Sequence, residues 1–392
     1  MSEPNERAPH AETGRPAVSV VLAGGGTAGH TSPLIATAHE IARLAPEARV
    51  TAVGTARGLE TTVVPAAGLT LELIPPVPLP RKPGKDLLLV PSRLGRSIAD
   101  AGRLLDRVGA TAVVGFGGYV STPVYLAARR RSLPIVIHEQ NALPGLANRL
   151  AARFTDHVLT SFPDTPLPHA RCIGLPLRAG ITQLDRAAVR PEARAAYALP
   201  AEGPVLLVSG GSQGAASLNR AVVGALPTLL AAGISVLHAV GPKNLTDDVV
   251  ARADDRTGAV YRPLAYIEAM DAAYAAADLM LGRCGASTVL ETAAVGLPAV
   301  FVPYPHGNGE QARNAAGVVA AGGGVLLADA DCTAAWVAAE MPSLIRPDVL
   351  AGLTRALAGV GHRDAATVLA RETLALAGWA GETAPPVEEG TS

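Results

Sequence analysis

Lysine is nearly missing from this chain of 392 residues: Lys82, Lys85 and Lys243 are all there is, and arginine carries the rest of the 33 basic charges. Against 34 carboxylates the net charge is −1, so there is no basic excess of the kind that holds nucleic acid. Aromatic residues are only 3%, too few for a platform that stacks single-stranded bases. The three cysteines, Cys172, Cys284 and Cys332, are far apart and odd in number. They offer neither a disulfide framework nor metal-ligand spacing, and a reducing cytosol suits them best. No run reaches the ~18 apolar residues of a membrane span. Residues 1–16 are polar and lack the apolar segment of a signal peptide; they read as a disordered tail, as do residues 381–392.

What the chain does have is apolar residues, 49% of the total, over a length that suits two domains. Strand-like runs at 17–23, 49–53, 69–74, 112–115, 134–138 and 157–160 alternate with helical patterns at 32–44 and 92–108. The alternation restarts near residue 203, with runs at 204–209, 234–240, 260–263, 279–282, 299–303 and 324–327 and helices at 218–231, 268–276 and 310–320. This is βα alternation, so the fold class is α/β: two doubly wound, Rossmann-like domains, at 17–174 and 178–360, facing a central cleft. Residues 162–178 are proline-rich and read as a linker with one short strand at 171–174, a single hinge. The last helical stretch, 361–379, has no strand after it and is able to fold back onto the first domain.

Four glycine turns follow strands. The first, Val18-Ser-Val-Val-Leu-Ala-Gly-Gly-Gly-Thr-Ala-Gly-His30, ends in a helix start, a place for an anion, beside a histidine that titrates near neutrality. Alone it suits a dinucleotide enzyme equally well, but the second strand runs into Gly54-Thr-Ala-Arg57 without the acidic residue a nicotinamide site wants. The others are Gly115-Phe-Gly-Gly-Tyr-Val-Ser-Thr-Pro123, Ser209-Gly-Gly-Ser-Gln-Gly-Ala215 and Gly282-Arg-Cys-Gly-Ala-Ser-Thr288. One such turn is ordinarily a packing turn; four at strand ends point into one crevice. Ser212 either meets a phosphate or simply caps its helix. Glu291 either accepts vicinal sugar hydroxyls or is a solvated helix glutamate. His138-Glu-Gln-Asn141 is expensive to bury unless it binds something, and a surface loop accounts for it nearly as well.

Together these residues resemble the MurG family of glycosyltransferases. The resemblance spans about residues 18–374. It rests on Gly25-Gly-Thr-Ala-Gly-His30, Gly117-Gly-Tyr-Val-Ser121, His138-Glu-Gln-Asn-Ala-Leu-Pro-Gly145, Gly210-Gly-Ser-Gln-Gly-Ala215, Arg283 to Glu291, and Glu310-Gln-Ala-Arg-Asn314. It implies a GT-B fold and transfer of N-acetylglucosamine from UDP-N-acetylglucosamine to lipid I, giving lipid II for peptidoglycan, cell shape and division. Ser212 would hold the diphosphate, Ile267 the uracil through its backbone, and Glu291 the ribose. Ala286, Ser287, Thr288, Val289 and Leu290 would line the nucleotide. Gln311 would contact the sugar, and Asn141 and Arg178 would complete the donor site. Thr27, Ala28 and Gly29 would face the cleft from the first, acceptor-binding domain.

The chemistry would be an inverting displacement with His30 as base and Glu139 as its rival, needing no metal or other cofactor if helix N-termini and Arg178 steady the leaving diphosphate. Ala28 departs from the glycine of many members, and Glu310 from the glutamine of some. Lipid I lies in the bilayer, so the enzyme is expected at the cytoplasmic face of the cell membrane as a peripheral protein. Leu79, Arg81, Lys82, Lys85, Leu87 and Leu88 would meet anionic head groups there; a proline-rich loop before an ordinary helix is the plainer account of that segment. Other cell-wall synthesis proteins are further expected partners, and nucleic acid is not. The runner-up is another GT-B transferase acting on a lipid or secondary metabolite. A 2-epimerase or a binding module without turnover fits less well.

Overall fold

The computed structural model describes residues 18–56, 58–77, 85–247 and 249–381, leaving aside the side chains of 85–88. The first sheet has seven strands, all parallel: β1 (Ser19–Ala23), β2 (Arg49–Gly54), β3 (Thr70–Leu73), β4 (Ala112–Gly115), β5 (Ile135–Glu139), β6 (Val158–Thr160) and β7 (Ala170–Cys172). Their spatial order is β3-β2-β1-β4-β5-β6-β7. β1 is central and wholly buried, which is why it reads as an unbroken apolar run. The crossovers are α1 (Ala28–Leu44), α2 (Glu60–Ala66), α3 (Lys85–Val108), α4 (Ser121–Arg129) and α5 (Leu146–Ala151). The strand read as part of a linker is β7, the sheet's edge. An edge strand can carry an exposed arginine, Arg171, and so lacks the apolar signature of its neighbours.

Two short helices, α6 (Ala179–Thr182) and α7 (Arg186–Ala196), lead into the second sheet. Its strands are β8 (Val205–Ser209), β9 (Ser235–Ala239), β10 (Arg252–Ala253), β11 (Val260–Leu264), β12 (Leu279–Gly282), β13 (Ala299–Phe301) and β14 (Gly324–Leu326). The order is β10-β11-β9-β8-β12-β13-β14, parallel except for the two-residue β10. Around it lie α8 (Ala216–Ala231), α9 (Met270–Ala276), α10 (Ala286–Val295), α11 (Glu310–Ala320), α12 (Ala334–Leu344) and α13 (Pro347–Leu357).

The last helix, α14 (Ala365–Leu376), buries Leu369, Ala370 and Leu374 in one cluster with Leu34 and Ile41 of α1. Thr367 Oγ1 donates to Glu40 at 2.6 Å and Trp379 Nε1 to Glu47 at 2.8 Å. The chain therefore passes between the domains twice, not once as a single hinge would have it. The two passages touch: a Cβ on Gly174 (φ +86°) would lie 2.4 Å from the Cβ of His362.

In both sheets the strand order reverses between the first strand and a later one, β1/β4 and β8/β12. Ligands of such sheets bind at the carboxyl ends of strands at that reversal.

Candidate functional site

The turns leaving β1, β4 and β5 face those leaving β12 and β13 across a cleft of about 800 Å³. Thr27, Ala28, Gly29, His30, Glu139 and Asn141 line it from the first domain. Ala286, Ser287, Thr288 and Gln311 line it from the second. A second hollow of about 570 Å³ continues along the second sheet, lined by Gly210, Gly211, Gly214, Arg220, Arg283 and His306.

Among the helices that begin at these hollows are α1, α8, α10 and α11. None of these is capped by the side chain of its N-cap residue, although Asn308 Oδ1 accepts the Glu310 N–H at the start of α11 at 3.2 Å. Elsewhere Asp185 caps α7 and Thr333 caps α12, while α2, α9, α13 and α14 also lack an N-cap side-chain bond. Uncapped N–H groups and the positive end of the helix dipole make an anion site.

His30 sits in the first turn of α1, half-buried, with Nδ1 2.9 Å from Thr27 Oγ1. Burial pushes its pKa below the ordinary 6.5, and the Gly25 backbone and the Glu60 charge pull partly back. The ring is therefore neutral near pH 7 and able to accept a proton.

Glu139, at the end of β5, is buried and accepts from the N–H groups of Asn141 and Gly145, both at 3.0 Å, and from Asn148 Nδ2 at 2.9 Å. Burial raises its pKa; those donors lower it and Glu310 raises it again. Three bonds to its two oxygens make it the anchor of the 140–145 loop. His138 and Gln140 are buried as well, so these residues are not a surface loop. His138 Nε2 lies 3.0 Å from the Gly174 carbonyl, which it can only bond by donating. Burial takes this imidazole down to about 4.

The remaining expectations divide. Ser212 is exposed in its turn and is not the helix cap, since Ala215 holds that position. Ile267 puts its side chain into the core and leaves its backbone in the loop between β11 and α9. Val289 and Leu290 also face the core, because they lie on the inner side of α10; Ala286 to Thr288 meet the cleft. Glu291 accepts from Tyr274 Oη at 2.8 Å. Burial raises its pKa, the Tyr274 bond and the Arg178 charge lower it, and Asp271 raises it. Arg178 is exposed at the start of α6 and is not part of either hollow's wall. Gln311 Oε1 accepts the Tyr304 N–H at 2.9 Å, which fixes its side chain at the cleft.

Leu79, Arg81 and Lys82 lie outside the described residues, as do the side chains of Lys85, Leu87 and Leu88. Beyond them along α3, Leu89, Arg93 and Arg96 are exposed. Among the described residues no helix is long and apolar enough to cross a membrane.

Three residues of the site were not singled out from sequence. Glu60 holds the first glycine turn through the Gly26 N–H at 2.8 Å. Asn148 ties Glu139 to Tyr125, whose hydroxyl donates to Asn148 Oδ1 at 2.7 Å. Arg283 bonds the Pro303 carbonyl at 2.9 Å, Ser217 Oγ at 2.9 Å and Asp329 at 2.6 Å, tying the first turn of α8 to two loops of the second hollow. Only Arg283 had a signal, its place inside a glycine turn.

Known proteins share this family and fold. Residues 20–160 match the glycosyltransferase family 28 N-terminal domain and residues 205–367 the C-terminal domain of that family. A Nocardioides protein named UDP-N-acetylglucosamine–N-acetylmuramyl-(pentapeptide) pyrophosphoryl-undecaprenol N-acetylglucosamine transferase is 55% identical, over 91% of this chain and 98% of that protein. A protein of the same name from Mycobacterium tuberculosis is 53% identical, over 93% of this chain and 90% of its own. The crystal structure of Acinetobacter baumannii MurG superposes with a TM-score of 0.74 at 26% identity, covering 91% of this chain and 99% of that one. The calicheamicin glycosyltransferase CalG4, at 19% identity and a TM-score of 0.66 over 94% of this chain and 100% of that one, shares the fold.

Proposed function

The chain belongs to the MurG family within glycosyltransferase family 28, and from that premise we propose that it moves N-acetylglucosamine from UDP-N-acetylglucosamine to the C4 hydroxyl of lipid I, with inversion. The observation that carries this reading is the neutral His30 on one wall of a cleft whose other wall includes the uncapped start of α10. A displacement of this kind needs a base on the acceptor side and positive potential on the leaving-group side.

In the proposed step the acceptor hydroxyl oxygen forms a bond to the anomeric carbon. The bond from that carbon to the β-phosphate oxygen breaks, and UDP departs with the electron pair. The hydroxyl proton passes to the His30 imidazole. The N–H groups at the starts of α8 and α10, with Ser212, receive the diphosphate charge. Arg178 acts from outside the wall, through its field on Glu291, which takes the ribose hydroxyls. The Ile267 backbone meets the uracil and Gln311 the sugar. Glu139 remains the rival base, but its oxygens already serve three donors, which favours His30. Docking to the cytoplasmic membrane face through the segment around Arg81, Lys82 and Lys85 brings the cleft to its lipid-borne acceptor.

The test is radiolabelled sugar transfer from UDP-N-acetylglucosamine to a lipid I analogue, with UDP release followed in parallel. The reading requires equal amounts of both products. UDP release without labelled lipid, or transfer only to a different acceptor, refutes it. His30→Ala is expected to lower kcat by about 100-fold or more with donor KM little changed; near-wild-type kcat removes His30 from the role.

A further inference from the structure

We propose that Glu60 is a positioning residue for the transfer: its buried carboxylate holds the first glycine turn in shape and sets its negative charge behind the His30 imidazole. This rests on His30 being the base.

Glu60 is the first residue of α2 and is fully buried. Its Oε2 accepts the Gly26 N–H at 2.8 Å; its Oε1 accepts the Thr55 N–H at 2.8 Å and the Thr55 hydroxyl at 3.1 Å. Three glycines make room for it. A Cβ on Gly25 would lie 2.5 Å from Oε1, one on Gly54 2.4 Å from Cγ, and one on Gly58 1.8 Å from Oε2. A carboxylate enclosed by the glycine turn after β1 and by Gly54 and Gly58 at and after the end of β2 is a built arrangement. It also borders a side cavity of about 370 Å³ that reaches Thr27 and His30.

Burial by itself would raise the Glu60 pKa, but the N–H groups of Gly26, Thr55 and Glu60 and the Thr55 hydroxyl bring it below the ordinary carboxylate value. It is therefore ionised throughout the working range. Its charge favours the protonated form of His30. The other titratable groups at the cleft are Tyr119 from the turn after β4, Glu139 at the end of β5 and Glu310 at the start of α11. Glu139 is occupied by the 140–145 loop, which leaves Glu60 as the carboxylate that bears on the ring. As the base takes up its proton, a fixed anion behind it stabilises the imidazolium. Glutamine could not replace it: an amide NH2 would meet the Gly26 or Thr55 N–H donor to donor.

The experiment follows the His30 imidazole by NMR titration, assigned with His30→Ala, in the wild type, Glu60→Gln and Glu60→Asp, beside kcat and KM for both substrates. In folded E60Q the His30 titration is expected to move to lower pH, with kcat down about 10-fold and donor KM unchanged. E60D keeps the charge, so its titration should stay near the wild type while kcat falls because the shorter arm cannot span Gly26 and Thr55. An unmoved titration in E60Q overturns the proposal. So does wild-type kcat in E60D, a result that stands even if E60Q fails to fold. Full turnover in H30A would instead sink the base assignment, whatever the titration does.

Discussion

Asn314, on α11 of the second domain, is bonded across the cleft to Asn141 of the first: its Nδ2 donates to Asn141 Oδ1 at 3.3 Å. Its Oδ1 accepts the Ala142 N–H at 2.9 Å, and its Nδ2 also meets the Cys284 carbonyl at 3.4 Å. One buried amide thus joins the loop after β5, the turn after β12 and the helix that carries Gln311. The two walls of the site are set against each other by this contact as well as by the two passages of the chain.

Asn314→Ala leaves the Ala142 N–H and the Cys284 carbonyl without this partner. Losing such a bond costs about 1–3 kcal/mol. We expect kcat/KM to fall about 10-fold, in line with 1.4 kcal/mol per decade. Solution scattering should show a wider interdomain gap in the variant. Unchanged kinetics and scattering would mean that the domain contact is dispensable.

Glu291 is held by the Tyr274 hydroxyl. If it takes the ribose hydroxyls, Glu291→Ala should raise the KM for UDP-N-acetylglucosamine by about 10- to 100-fold, the range for hydrogen bonds to a charged group. A donor lacking the 2′-hydroxyl should bind worse than the natural one to the wild type and no worse to the variant. An equal penalty in both proteins separates Glu291 from the ribose.

Stability should fall as the pH drops from 6.5 towards 4. His138 and His238 are both taken down to about 4 by burial. His238 lies between Tyr261 Oη at 3.2 Å and Asn219 Oδ1 at 3.0 Å. Across that window the unfolded chain binds protons that the folded chain refuses, so unfolding takes up protons and acid favours it. Glu139 and Glu291, raised by burial, oppose this in their own range. Each histidine contributes on the order of 3 kcal/mol between its two pKa values. Denaturant midpoints measured from pH 7 to pH 4.5 should decline, and His238→Gln should flatten the slope. A flat wild-type profile would contradict the burial of both rings.

Replacing Arg81, Lys82 and Lys85 with glutamate should weaken binding to anionic vesicles, since each basic residue near such a surface is worth about 1 kcal/mol. Turnover on a short-chain, water-soluble acceptor should not change. Vesicle binding equal to the wild type removes this segment from membrane docking.

Much of the site was legible because its parts are local. A glycine turn between an apolar run and a helical repeat is visible in a dozen residues, and it positions Thr27 and His30 wherever the sheet lies. Glu60 and Asn148 gave no such signal. A glutamate opening a short helix that contains Pro65 looks solvated; only the approach of Gly25, Gly54 and Gly58 makes it buried and charged. Val289 and Leu290 show how folding divides a run of neighbours, for their side chains enter the core. A stretch that lines a ligand in sequence order becomes a helix in space, and alternate turns face inward.

By itself the amino-acid order determined the two α/β repeats, their strand-end glycines and the family, because hydrophobic period and backbone freedom are local properties of the chain. Tertiary structure alone decided which polar groups are buried and bonded: Glu60 behind His30, Asn314 against Asn141, α14 on α1. Those pairs join residues 30, 172 to 173 and more than 300 positions apart. Their energy depends on desolvation, and desolvation exists only once both sheets have closed around the cleft.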